Sequence, residues 1–277
     1  MSQPAMIPAQ PPTPAPLAVG AERHFTVGNL LSRSFSIWRR NLVKFSLLAL
    51  AVYVPVFALG WGLGVGDLFF RTPGTQVDPA RMSAVMGSFA VVWVAMMVLA
   101  LVQMAALTYG AIQSLAGLPV RFADLLRAGL SRAPAVLGVG VVCYVALVLG
   151  FVLLVVPGLI LLTAMCVSVP VAVVERNGVF GSVRRSFRLT KGRRLAIFAA
   201  FLVFFVVFMG MSAIVNFVFP LVAAPLGQAA AVVGLGISTV VNLAFGSLPA
   251  IAPAVAYHDL RAEKEGVDTA SLVKVFG

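Results

Sequence analysis

Two long uncharged stretches limit what this chain can become. Ala133 to Val174 runs for 42 residues without an Asp, Glu, Lys or Arg, and Leu195 to Tyr257 is a second such run. A helix crossing a bilayer uses about 20 residues, so each run is too long for one span and suits two. The first is expected to break at Pro157-Gly158, a helix-breaking turn. The second is expected to break between Pro220 and Gly227. Two shorter runs, Phe45–Gly66 and Ala84–Gly110, bring the count to six spans. The expected fold class is all-α: a polytopic membrane protein with six transmembrane helices. Composition agrees, since 61% of the 277 residues are hydrophobic and 10% are charged. Soluble domains carry about 25% charged residues, and so few charges could not cover a soluble surface of this size.

Charge placement tests the count independently. With six spans, 18 of the 20 Lys and Arg fall on one side: before span one, in the second and fourth loops, and in the C-terminal tail. Cationic loops stay in the cytoplasm, so both termini are expected there, in an inner (cytoplasmic) membrane. If Ala133–Val174 crossed only once, the fourth loop, with its seven basic residues, would face outward. Three domains follow. Residues 1–24 form a Pro-rich tail, 25–261 the six-helix membrane domain, and 262–277 a C-terminal tail.

Three segments that precede spans one, three and five look alike: Val27–Leu42, Phe122–Leu137 and Val179–Leu195. Each reads as a short amphipathic helix along the membrane surface. Thr26 and Asp124 are plausible helix-start residues. In the third segment, Phe180, Val183 and Phe187 recur at helical spacing. Arg184, Arg185, Arg188, Lys191, Arg193 and Arg194 surround that stripe and are the candidate contacts for anionic lipid headgroups. A nucleic-acid role is not expected, because the stripe leaves no aromatic free to stack on bases.

The stretch from Val155 to Phe198 carries Pro157-Gly158, Pro170, Glu175, Ser186-Phe187 and Lys191-Gly192 in order. In that pattern it resembles the membrane domain associated with glycerophosphoryl diester phosphodiesterases, which also occurs alone in bacterial inner membranes. The resemblance covers roughly Phe25 to Arg261. It implies an all-helical membrane domain whose fused enzymes hold their chemistry in a separate barrel, and it implies no catalytic residue here.

The residues themselves offer little chemistry. No Asp, Glu, Lys or Arg lies inside the six spans as drawn, which argues against an intramembrane protease or a proton relay. The two histidines, His24 and His258, stand at opposite ends, and Cys143 and Cys166 lie in apolar runs without metal spacing. No enzyme activity, cofactor or metal is expected. Asn216 and Asn242, on spans five and six, are expected to bond between helices, with a polar substrate path as the sharper alternative. The glycines of Gly60–Gly66 suggest close helix packing, and Pro249 and Pro253 a bend in span six. The expected function is a non-enzymatic inner-membrane component with an interaction or envelope-maintenance role, in contact with anionic phospholipid; the residues name no protein partner. A transporter or lipid translocator, or an accessory subunit of a separate phosphodiesterase, are the alternatives.

Overall fold

The computed structural model describes residues 25–65, 79–219, 221 and 228–266. The tail before residue 25, the Pro220–Gly227 break and the end of the C-terminal tail lie outside them. The described residues form nine α-helices. These are α1 (Val27–Gly62), α2 (Pro79–Leu115), α3 (Phe122–Leu153), α4 (Val155–Met165), α5 (Ser168–Glu175), α6 (Gly178–Thr190), α7 (Arg194–Ala213), α8 (Gln228–Phe245) and α9 (Leu248–Glu265). A π-helical turn, Ile214–Val218, prolongs α7. Six helical stretches are long and apolar enough to cross a membrane: Val27–Gly62, Ser83–Leu115, Phe122–Leu153, Val155–Glu175, Arg194–Ala213 and Gly236–Glu265.

Proline chemistry explains why two of these six are built from two helices each. A proline cannot donate to the carbonyl four residues back, but it costs nothing among the first helical residues, whose N–H groups lack intrahelical partners anyway. Span four therefore breaks at Cys166–Val167, and Pro170 sits in the first turn of α5. Span six breaks at Gly246–Ser247, and Pro249 sits at the start of α9. The α3–α4 hairpin forms where expected but not at the expected residues. Leu154 alone is extended (φ −169°, ψ 154°), and Pro157 and Gly158 are already in the first turn of α4. Gly158 instead permits close approach. A Cβ there would stand 2.6 Å from the Phe151 ring, and one on Gly150 would stand 3.2 Å from the Gly158 Cα.

All three pre-span segments are helical, but they are not alike. Only the third, α6, is a separate helix, because Gly192 adopts φ 85° in the turn between it and α7. The first two run unbroken into their spans, as nothing between Leu42 and Phe45 interrupts α1 and Pro134 is accommodated within α3. Thr26 caps α1, its hydroxyl accepting from the Asn29 N–H at 3.3 Å. Asp124 is not the cap of α3 but sits in its first turn, where an acid suits the helix dipole.

With 36 residues, α1 is about 54 Å long, against a hydrocarbon core of about 30 Å. Its first half, with Arg33, Arg39, Arg40 and Lys44, extends past the apolar zone. Against this overhang α9 runs antiparallel: the Phe25 N–H donates to Glu263 at 3.2 Å and Arg33 pairs with Asp259, while further along α1 the Trp38 indole donates to the Ala244 carbonyl of α8 at 2.6 Å. The main core lies at this basic end, around the fully buried Leu30, Phe45, Leu125, Ile251, Tyr257 and Leu260. Toward the other end, large side chains such as Phe57, Trp61, Trp93, Tyr144 and Leu149 face outward. The expected close packing at Gly60–Gly66 is met at Gly60, which is buried, and not at Gly62 or Gly64; Gly66 lies outside the described residues. A Cβ on Gly60 would stand 3.7 Å from Val92, one on Gly62 or Gly64 would meet nothing within 4 Å, and Gly64 (φ 74°) follows the end of α1.

Candidate lipid-contact site at the basic end

The helix α6 has two working faces. Ser182, Ser186 and Thr190, spaced four apart, point inward and are fully buried. The Ser186 hydroxyl donates to the Ala164 carbonyl at 2.7 Å, near the break between α4 and α5. Thr190 donates to the Ser186 carbonyl at 3.0 Å. Small hydroxyls of this kind let helices approach closely while satisfying a carbonyl that a helix break exposes. The opposite face carries Phe180, 77% exposed, with Arg184 and Arg188 also exposed.

Arg185 points the other way. It closes a ring of five side chains drawn from α5, α6 and α9. Its Nε donates to Glu175 at 3.0 Å, and its other nitrogen pairs with Glu265. Glu265 accepts from Arg261 at 3.1 Å, Arg261 donates to the Tyr257 hydroxyl at 3.1 Å, and Tyr257 donates to Glu175 at 2.9 Å. Burial by itself would lower the affinity of Arg185 for its proton, but its bonds to Glu265 and Glu175 outweigh this and hold it above its ordinary value. Asn177 adds a third donor to Glu175 at 2.8 Å.

The same end of α9 reaches two further segments. Glu263 accepts from Arg193 Nε at 2.9 Å, and Lys264 donates to the carbonyls of Arg188 at 2.9 Å and Lys191 at 2.6 Å, closing the end of α6. Asp259 pairs with Arg33 of α1, and its neighbour His258 lies 3.2 Å away through Nδ1. Arg132 of α3 donates to the Val173 carbonyl on α5.

The six candidate headgroup cations therefore separate. Arg185 and Arg193 are committed to internal acids, a correction to their expected lipid role: the acids of α5 and α9 lie within reach once the chain folds. Arg184, Arg188 and Lys191 are exposed and have no acidic partner among the described residues. Arg194 lies over the Phe187 ring at 5.7 Å, and its Nε is buried without a hydrogen-bond partner. The side chain of Asn216 lies outside the described residues. Asn242 departs from its expected interhelical role, because its amide donates to the Ser238 carbonyl of its own helix at 2.8 Å. The acids of α9 were not anticipated as partners, although Asp259, Glu263 and Glu265 gather within seven residues.

A cleft of about 830 Å³ lies beside this end, between α1, α4, α7 and α9. Eight phenylalanines line it, and its polar lining side chains are Thr163 and Cys166. The Thr163 hydroxyl is already spent on the Leu159 and Ile160 carbonyls. Both cysteines are free thiols.

Six apolar spans, a self-paired charged end and outward-facing apolar side chains define a multi-pass α-helical membrane protein. The chain belongs to the family described as a domain of unknown function, DUF7847, which matches residues 111–260, more than half of its length. No curated protein and no solved structure matches it.

Proposed function

We propose that this chain is a non-enzymatic protein of a bacterial inner membrane whose basic end lies at the cytoplasmic surface and contacts anionic phospholipid. The observation that carries this reading is the division of labour on α6. Its inward hydroxyls and Arg185 fasten it to the bundle, and this leaves Phe180, Arg184 and Arg188 presented together. An apolar side chain flanked by unpaired cations matches a membrane surface, where each basic residue contributes about 1 kcal/mol toward anionic lipid. The orientation rests on the 18 of 20 basic residues at one side. The cleft supports handling of lipid rather than transport of a polar solute, because almost nothing along it could replace a water shell. The accessory-subunit reading rests on the motif resemblance alone.

The test uses the full chain in vesicles of mixed phosphatidylglycerol and phosphatidylcholine bearing spin-labelled lipids. Replacing Arg184, Arg188 and Lys191 by Gln should reduce the preference for phosphatidylglycerol at the protein surface by at least about fivefold. An unchanged preference sinks the headgroup reading. In right-side-out and inverted vesicles of cell membrane, Lys191→Cys should react with an impermeant maleimide, above the background of Cys143 and Cys166, only where the cytoplasmic face is outermost; reaction from the opposite face overturns the orientation.

A further inference from the structure

We infer that the cleft between α1, α4, α7 and α9 holds one acyl chain of an anionic phospholipid, with the phosphate of that lipid at Arg194. The inference rests on the anionic-lipid reading above and adds a defined site to it.

Shape comes first. Phe198 and Met211 both line the cleft and lie 13 residues apart on one helix, so it extends about 20 Å along α7. Half of a bilayer's hydrocarbon core is about 15 Å. The cleft is thus long enough for the extended chain of a lipid in one leaflet, and its 830 Å³ falls within the range of about 300–1,000 Å³ typical of ligand pockets. Chemistry comes second. With the Thr163 hydroxyl satisfied internally, the walls offer phenyl rings and aliphatic groups to an occupant. Such a lining stays dry and takes hydrocarbon.

Charge identifies which hydrocarbon. Arg194 precedes Phe198 by one turn on the same face of α7. Its side chain is pinned over Phe187, it has no acid partner among the described residues, and its Nε is buried unbonded. Its neighbour Arg193, by contrast, is neutralised by Glu263. Arg39 follows Phe35, another lining residue, by one turn of α1 and is likewise without an acid among the described residues. A buried, unsatisfied guanidinium nitrogen one helical turn from the lining residue Phe198 calls for an anionic oxygen attached to a hydrocarbon chain. A lipid without an anionic oxygen would leave it unsatisfied, and a zwitterionic one would bring a cation beside it.

The experiment uses the full chain in nanodiscs containing phosphatidylglycerol with a diazirine midway along one acyl chain. Cross-linked peptides are mapped by mass spectrometry. Labelling should concentrate on Leu159–Leu162 and Phe201–Phe208. Excess unlabelled phosphatidylglycerol should compete, while the same excess of phosphatidylcholine or free fatty acid should compete at least about fivefold less well. Filling the cleft with Leu162→Trp or Val207→Trp should abolish this labelling while the unfolding midpoint stays near that of the parent. Should either variant unfold, Leu162→Ala, which widens the cleft, must retain the labelling. Arg194→Gln should lower it about fivefold. Uniform labelling of outward residues such as Phe57, Trp93 and Leu149 overturns the site. Equal competition by phosphatidylcholine, which has the phosphate but no net charge, overturns the anionic assignment, and better competition by fatty acid overturns the phospholipid assignment. The variants at Arg184, Arg188 and Lys191 leave the cleft untouched, so loss of surface selectivity and loss of cleft labelling are separate results.

Discussion

The two ends of this bundle solve opposite problems. At the basic end, helices that overhang the membrane meet water and must bury a core and satisfy their own charges. There α9 is buried along nearly its whole apolar length, and Glu175, Asp259, Glu263 and Glu265 are all engaged by cations from other segments. At the apolar end, lipid is the solvent, and there is no hydrophobic force to draw helices together. Accordingly 11% of the most apolar stretch of the second span, which carries the outward-facing Met86, Phe89 and Trp93, is buried against protein. The difference locates stability. The overhang behaves as a small soluble domain, and the spans extend from it.

The strongest challenge to that contrast is Glu175→Ala. It would strand Arg185, Tyr257 and Asn177, three donors aimed at one carboxylate that is itself only 13% exposed. Removing one partner of a buried pair costs about 3–5 kcal/mol, and the lower figure applies here because the ring lies at the rim of the fold. Unfolding in detergent should show that loss, and the double variant Glu175→Leu with Arg185→Met should recover much of it. A loss below about 1 kcal/mol would mean that the ring merely decorates the surface.

Glycine sharpens the comparison by a change of sign. At the basic end, a methyl on Gly129 would stand 2.9 Å from the Val102 carbonyl oxygen and 3.0 Å from the Ala106 Cβ. Neither is the tip of a flexible side chain, so Gly129→Ala should destabilise by about 2 kcal/mol. Toward the other end of α2, nothing lies within 4 Å of a methyl on Gly87. Gly87→Ala should therefore stabilise by about 0.5–1 kcal/mol through helix propensity alone. Thermal midpoints of the pair check both signs, and equal shifts would erase the distinction between the ends.

The sequence displays the apolar end far better than the basic one. Span number follows from uncharged length and loop charge, which depend on the bilayer rather than on contacts. Pro157 lies three residues from the break at Leu154 because proline marks a helix start, though it marks the first turn and not the break itself. Pairing at the basic end is not local: Arg33 meets Asp259 across 226 positions and Tyr257 meets Glu175 across 82. The antiparallel course of α9 along α1 makes the first meeting, and the packing of α9 against α5 makes the second. The inward face of α6 was legible in principle, since Ser182, Ser186 and Thr190 recur at i, i+4 and i+8, but the eye follows Phe180, Val183 and Phe187 instead. The cleft was not legible, because its walls come from helices far apart in the chain.

The smallest expected effect tests the apolar end most directly. Phe57 is a large aromatic, and in a soluble core its loss would cost about 3–5 kcal/mol. Here it lies in the outward half of α1 and is 70% exposed, beside the similarly exposed Trp61. Lipid surrounds such a ring in both the assembled bundle and the separated helices, so removing it changes both states alike. Phe57→Ala should shift stability in nanodiscs by less than about 0.5 kcal/mol. A loss above about 2 kcal/mol would show that the ring is covered by protein in the membrane, and with it that the apolar end is an interface rather than a lipid-facing surface.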